Sequence, residues 1–482
     1  MNARGRAMAI AAGLLFSAVS VQAGDFAGQL DDPLRAQPAV PAGGLPLPGD
    51  LGVAPCPPAY DEAAPLTLPV AVDLALCHNA QVHGAWAGIK LQAASLGEAR
   101  AAYLPTVNGG VSRVHDRTAY PGSRTGASSL SSNTGSLSLS WRLFDFGGRA
   151  AGQRSAGALL DAALANRDAV LQRTLAAAIG AYFDAQTALA GVRVRREYQA
   201  LAEETVAATQ RRAQRGLGSH SDTLQAASAL AKATLGASRA DGDYRKARAV
   251  LVYTLGLPAS TDVVLNEEAD AGGATAGLRD DLHAWLTMAR QRHPAIAAAQ
   301  ARLQAARERV AIARSEGRPS IDLTANIYQN GRPNQGLSPA STRETLVGVS
   351  LNIPLFDGFA RNYKVRGALA QAEQSQAEAE EAQQQTLMDL VKAHAEAGTA
   401  LGNLAAAQAW QDAAQEALAS VQRKFGLGAA DILEMLATQS ALLEARQERV
   451  RCQAEWRASR LRLLASAGIL GRDAIAGREA PH

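Results

Sequence analysis

Past its first two dozen residues the sequence has no run of 18 apolar residues. That excludes membrane-spanning helices, but tilted strands of ~9 to 11 residues would leave no such trace. Cysteine is scarce, with only Cys56, Cys77 and Cys452. An odd count leaves at least one thiol unpaired. Cys56 and Cys77 flank a Pro-rich segment in a chain bound for an oxidising compartment, so a bridge between them and three free thiols are equally open. Net charge is small, +3 over 482 residues, which gives no basic stripe of the kind that binds nucleic acid. The eight histidines are scattered, without an i, i+4 pair or a His-Glu-x-x-His run, and no cysteine pair has zinc spacing. A phosphate loop and a Gly-x-Ser-x-Gly elbow are missing too. The expectation is no metal, no cofactor and no enzyme, with any energy source in a partner.

What is present begins with export. Arg4 and Arg6, an apolar stretch from Ala7 to Val21 and a small-residue site at Ala23 form the three-part layout of a signal peptide over 1–23. No cysteine follows that site, which speaks against a lipid-anchored N-terminus. Residues 24–65 are a Pro/Gly-rich leader without periodicity, and 471–482 read as a frayed tail.

Between them the sequence repeats itself. Trp141-Arg-Leu-Phe-Asp-Phe-Gly-Gly-Arg149 recurs as Ile353-Pro-Leu-Phe-Asp-Gly-Phe-Ala-Arg361, 212 residues on. Upstream, Tyr103-Leu-Pro105 matches Gly317-Arg-Pro319 at 214, and downstream Arg215-Gly-Leu-Gly218 matches Phe425-Gly-Leu-Gly428 at 210. Two structural repeats follow, 66–277 and 278–470. Each reads as a helix (about 69–102 and 278–316), two alternating segments, a very long helix (about 148–215 and 360–425) and a return helix (about 219–255 and 429–467). At ~1.5 Å per residue the long helix reaches roughly 100 Å. In the first copy Leu160, Leu171 and Tyr182 recur every eleven residues, a period of ~3.67 per turn that supercoils little.

The alternating segments are strands. Leu137, Leu139, Trp141 and Leu143 alternate with Ser136, Ser138, Ser140 and Arg142, and Val347, Val349, Leu351, Ile353 and Leu355 alternate with polar or small residues. Ile321, Leu323, Ala325 and Ile327 do the same, and Val107 and Val111 do so more weakly. Strands are expected at 106–116, 134–144, 320–329 and 345–355, with the Ser-rich stretch 123–138 and the stretch 330–342 as connecting loops. A soluble hairpin with one wet face shows the same alternation. In a bilayer, however, four strands cannot close a barrel, and an open edge in lipid leaves backbone groups unpaired at several kcal/mol each. The chain must then oligomerise, and of two or three copies only three surround a water-filled lumen. The fold class expected is therefore mixed: a long helical coiled-coil barrel plus four transmembrane strands per chain, twelve in a trimer.

The duplicated order, the Leu-Phe-Asp turns at 143–145 and 355–357, and the motifs Gly216-Leu-Gly-Ser-His-Ser-Asp222 and Gly426-Leu-Gly-Ala-Ala-Asp431-Ile-Leu-Glu434 resemble the TolC family of outer-membrane export ducts, from about residue 66 to 468. The resemblance implies a homotrimer in outer-membrane lipid, extending into the periplasm and passing an exported substrate. Its partners would be a periplasmic adaptor (membrane fusion) protein and an inner-membrane ABC transporter or RND pump. It also implies that the turns Gly216, Leu217, Gly218 and Gly426, Leu427, Gly428 dock the adaptor. Asp431 and Glu434, with Asp222 in the first copy, would form an acidic ring at the entrance. The sequence departs from the family in having Ala80 where many members have an Asn-Pro pair, although Pro294 is kept. Lacking the N-terminal cysteine of many drug-efflux members, it leans toward the type I secretion branch that exports toxin-like proteins. A small-molecule efflux duct and a structural envelope-spanning coiled coil are the alternatives. Arg193, Arg195 and Arg196 form a basic cluster, read as a solvated face or as a patch for an acidic partner.

Overall fold

The computed structural model of the chain describes residues 32–37, 56, 60, 64–118, 128–265, 281–330, 341–471 and 475. The expected signal peptide, most of the leader, the repeat boundary at 277/278, most of the tail, and residues 123–127 and 331–340 of the expected strand-connecting loops lie outside the described residues. The chain divides into two compact units, one made of 1–39, 89–161 and 301–375, the other of 40–88, 162–300 and 376–482.

The first unit holds the strands β1 (Thr106–Thr118), β2 (Ser128–Phe144), β3 (Ser320–Gln329) and β4 (Arg343–Asn352). They form one antiparallel sheet in the order β1-β2-β3-β4, so β2 and β3 join the two repeats directly. The register puts Val107, Leu139, Ala325 and Val347 in one cross-strand row and Thr106, Ser140, Thr324 and Gly348 in the next. One face is therefore apolar and the other hydroxyl-rich, as the alternation requires. On the apolar face Val107, Val111, Leu137, Trp141, Val347, Val349 and Leu351 are exposed. On the other, Ser112 and Thr134 share a hydrogen bond of 2.7 Å, and Arg142 pairs with Asp322 at 3.0 Å.

Two boundaries correct the sequence reading. Residues 128–138 are strand rather than loop: Ser128–Thr134 pair with Thr118–Ser112, and serines on both faces hide the alternation while the backbone ladder continues. The last strand stops at Asn352, because Pro354 has no N–H to offer a ladder.

The second unit is helical. The single helices expected at 69–102 and 278–316 are each broken in two: α1 (Leu68–His78) and α2 (Ala80–Ala101) in the first repeat, α5 (Leu282–Arg292) and α6 (Pro294–Ser315) in the second. The breaks are extended residues, Asn79 at ψ 128° and His293 at ψ 126°. Pro294 accounts for the second break, since it disfavours helix in the residue before it. At the first, Asn79 acts by its side chain. Its Oδ1 accepts the N–H of Gln81 at 2.8 Å, and its Nδ2 donates to the carbonyl of Thr254 at 3.0 Å.

The long helices are α3 (Gly148–Gln214) and α7 (Ala360–Gly426), 67 residues each, and the return helices are α4 (His220–Thr254) and α8 (Ile432–Ser466), 35 each. Leu74 and Leu76 of α1, Leu175 and Ile179 of α3, and Leu251 of α4 with its C-cap Leu255 form the deepest core. By length and hydropathy alone α3 could cross a membrane. Its apolar residues Leu171, Leu175 and Ile179 are instead spent on this core, and the stripe Leu160, Leu171 and Tyr182 is buried. Cys56 and Cys77 are joined by a disulfide, and Cys452 is free and buried.

Candidate functional site

Two pieces of geometry are candidates for the site: the joint between sheet and long helix, and the turns that close the long helices. At the joint, Asp145 Oδ2 accepts the backbone N–H of Arg149 at 2.8 Å and its Nε at 3.2 Å. Arg149 then reaches back to the carbonyls of Arg142, at 2.6 Å, and Leu143. The second repeat does the same with Asp357 and Arg361, the latter donating to the carbonyl of Pro354. This explains the motif. Aspartate caps the first free N–H groups of the helix, while arginine satisfies the last carbonyls of the strand.

Between them the chain turns through two left-handed residues, Phe146 and Gly147 (φ 52° and 92°) in one copy, Gly358 and Phe359 (66° and 69°) in the other. Phe144, Phe146, Phe356, Phe359 and Tyr363 are exposed around this joint. Aromatic residues in such a belt mark the boundary between lipid and water on membrane barrels.

At the far end, the structure changes the register of the sequence match. Both ends of α7 lie 212 residues after those of α3, and both ends of α8 lie 212 after those of α4. Gly216 therefore corresponds to Gly428, not to Gly426 as the offset of 210 suggested. Both have positive φ, 73° and 80°, while Gly218 and Gly426 do not. The hydrogen bonds agree: Gly216 N–H to Ala213 and Leu217 N–H to Arg212 match Gly428 N–H to Phe425 and Ala429 N–H to Lys424. That is the Schellman closure of a helix, which needs a left-handed residue at one defined position. Leu217 and Leu427 are exposed but flank the turns on different sides.

The three acidic residues also resolve into roles. Asp431 is the N-cap of α8, accepting the N–H of Glu434 at 2.7 Å, and its repeat counterpart is Ser219, the N-cap of α4. Asp222, whose Oδ2 accepts the Ser219 N–H at 3.3 Å, corresponds to Glu434. Asp431 and Glu434 are exposed and Asp222 is half-buried, and none of the three has a cationic partner among the described residues.

Three features went unseen in the sequence. Arg212 ties the two turns together: Nη1 donates to the carbonyl of Phe425, the guanidinium lies 4.6 Å from the centre of the Phe425 ring, and Nη2 donates to Leu217 O. One of three arginines at a helix end, Arg211, Arg212 and Arg215, gives no signal of a long-range partner. Gly256 and Gly468, 212 residues apart, close α4 and α8 with the same Schellman pattern (φ 72° and 75°). A glycine just past each helix was the available signal. In the basic cluster, Arg195 donates to Gln447 at 3.2 Å and Arg196 pairs with Asp241 at 3.0 Å.

Comparison with known proteins fits this geometry. The family model described as outer membrane efflux protein matches residues 71–257 and again 285–469, once per repeat. The chain belongs to the outer membrane efflux protein family. Protein CyaE of Bordetella pertussis is 38% identical over 426 residues, 88% of each chain. Outer membrane efflux protein BepC of Brucella suis is 25% identical over 377 residues, 78% of this chain and 80% of that one. Among solved structures, the Neisseria gonorrhoeae MtrE outer membrane channel in its open state superimposes with a TM-score of 0.71 at 22% identity, covering 86% of this chain and 91% of that one. The outer-membrane channel OprN reaches 0.73 at 21% identity over 90% and 99%. The mixed fold expected from the sequence is thus the fold of this family. The protein is an outer-membrane channel protein that extends into the periplasm.

Proposed function

We propose that three copies of the chain close a twelve-stranded barrel and act as the exit duct of a tripartite export system, taking a protein delivered by a type I machine. The observation that carries this is the sheet itself. Four strands present an apolar face outward and leave β1 and β4 without outer partners among the described residues, a state untenable in lipid unless other copies complete the ring. The likeness to CyaE over 88% of both chains supports the protein-export branch over small-molecule efflux. In this reading an adaptor docks at the turns 216–218 and 426–428, and the energy comes from an inner-membrane ABC transporter. Deleting the gene tests the branch: loss of a secreted protein supports it, while drug or metal sensitivity with normal secretion favours the efflux alternative. Stepwise single-channel conductance in planar bilayers separates either duct from a structural coiled coil.

Docking and charge at the tip are part of the same reading. Valine at Gly216 or Gly428, the two left-handed positions, abolishes export while trimers still reach the membrane. Normal export by both variants rules out docking at these turns. The acidic ring of Asp431, Glu434 and Asp222 makes the narrow entrance cation-selective. The capping geometry makes Glu434 its cleanest probe, because Glu434→Gln leaves the Asp431 cap in place. An unchanged reversal potential in a salt gradient rejects the ring.

A further inference from the structure

Beside the core around α1, the helices α3, α4 and α8 enclose a groove of about 380 Å³. Gly191 of α3 and Gly236 of α4 open its floor, and Arg195, Lys232 and Arg239 stand on its walls. Arg195 lies across Gly236, where a Cβ would come within 2.9 Å of its Nη1, and Nη2 donates to Gln447 at 3.2 Å. Lys232 and Arg239 are exposed, and neither has a side-chain partner among the described residues. Among those residues the one acid lining the groove, Asp243, is engaged by Lys246 at 3.2 Å. The excess of positive charge belongs to the first repeat alone. At the positions 212 further on, the second repeat has Ala407 for Arg195 and Glu444 for Lys232, and its Arg451, matching Arg239, is held by Glu448 and Glu455. The cations also share one side of the helices. Leu175, Ile179 and Tyr182, which pack in the core with α1, stand 20, 16 and 13 residues before Arg195, each about half a turn away in helical phase. On α4, Val252 of the same core stands 13 residues after Arg239 and 20 after Lys232, with the same offset of about half a turn. All three cations therefore point away from α1.

We propose that in the assembled duct Arg195, Lys232 and Arg239 face the passage and form a cationic collar that binds the carboxylates of an acidic polypeptide in transit. The inference rests on the export reading above and names its substrate class. The side follows from the core. A passage that must carry a polypeptide cannot also hold α1 and the leader bonded to it at Cys56, so these mark the outside and the opposite face lines the inside. The occupant follows from charge and spacing. Lys232 and Arg239 are seven residues apart, about 10 Å along α4. An extended chain presents side chains on one face every ~7 Å, so carboxylates on one segment meet several cations at once. Because Lys232 and Arg239 are exposed, each contact is weak and screened by salt, which retains a chain without trapping it. The acidic residues at the turns act while the entrance is narrow; the collar acts on a chain already inside.

The test uses full-length protein purified from outer membranes and reconstituted in planar bilayers. Poly-L-glutamate is added on the strand side, away from the acidic turns. Block of the current is expected, weakening as salt rises, and free L-glutamate at the same carboxylate concentration gives none. Lys232→Gln with Arg239→Gln, both at exposed positions, needs about tenfold more polymer for half-block. Equal block of wild type and variant, or block by free glutamate, overturns the collar; wild-type protein that forms no channels overturns the duct reading itself. A second measurement does not depend on the polymer. Arg239→Cys in a Cys452→Ala background is exposed to a charged methanethiosulfonate while single channels are recorded. A step in the current on labelling is expected, and labelling without any step places the residue on the outside and overturns the proposal.

Discussion

The core around α1 in the first repeat and the core around α5 in the second follow one plan and differ in depth. The first gathers α1, α3 and α4 and takes in Ala458, Leu461 and Ala465 of α8. The second is confined to α5, α7 and α8, around Trp285, Leu390 and Leu463. A neighbour covers one copy and not the other, so burial here is set by what lies beside a repeat as much as by the repeat's own residues.

The sharpest way to break this comparison is at Gly256 and Gly468. Both need positive φ, which costs a substituent about 1 to 2 kcal/mol. At Gly256, however, a Cβ would come within 2.3 Å of the His78 carbonyl oxygen, whereas at Gly468 it meets the side chains of Pro294 and His293 at 2.9 Å and beyond. Gly256→Ala should therefore prevent assembly, and Gly468→Ala should lower the melting temperature but still assemble. Blotting outer-membrane fractions for both variants checks the order.

Next in size are the strands, where one apolar face serves both repeats. Leu139→Arg and Leu351→Arg should each cost about 2 to 4 kcal/mol near the bilayer midplane and deplete membrane-inserted trimers. Assembly at normal levels in both variants contradicts the lipid-facing assignment. A smaller effect is expected at the joints. Asp145→Ala and Asp357→Ala each remove a helix cap, at about 0.5 to 2 kcal/mol. The first should cost more, because the Asp145–Arg149 pair is more enclosed than Asp357–Arg361. Thermal melts of the two variants rank them.

The smallest effect separates the helix breaks. Burial holds the His293 imidazole below its ordinary value of 6.5, against the opposing pull of Asp389, and Nδ1 accepts the N–H of Ala295 at 3.2 Å. The folded chain thus prefers neutral histidine, so its contribution is present above pH ~6.5 and is lost as pH falls toward the depressed folded value. Asn79 makes the corresponding cap in the first repeat without titrating. His293→Asn should keep the fold and flatten the stability profile below pH ~6.5, and melting at several pH values tests it.

The sequence showed the fold's large features because they are periodic. The duplication, the apolar alternation of 137–143 and the long helices all repeat a signal that local noise cannot erase. Single contacts were hidden. Asn79 breaks a helix through a side chain that meets Thr254, a partner far along the chain. Residues 128–133 could not be recognised as strand because serine on both faces has no period. The tip register slipped because Gly-Leu-Gly placed two residues along itself still matches glycine to glycine. The backbone angles of Gly216 and Gly428, the closing hydrogen bonds and the helix ends distinguish the alternatives.

The pairing of β2 with β3 has one more consequence. Each repeat is a complete tile: one hairpin, one long helix and one return helix. In the trimeric reading the ring has six tiles, and the chain fuses neighbours two by two. A ring of six separate half-length chains would have to keep six identical seams, since every mutation would appear at all of them. Fusion lifts that constraint. It is what permits Phe146-Gly147 at one joint and Gly358-Phe359 at the other, so that covalent linkage, besides halving the number of parts to assemble, lets the two tiles of one ring evolve apart.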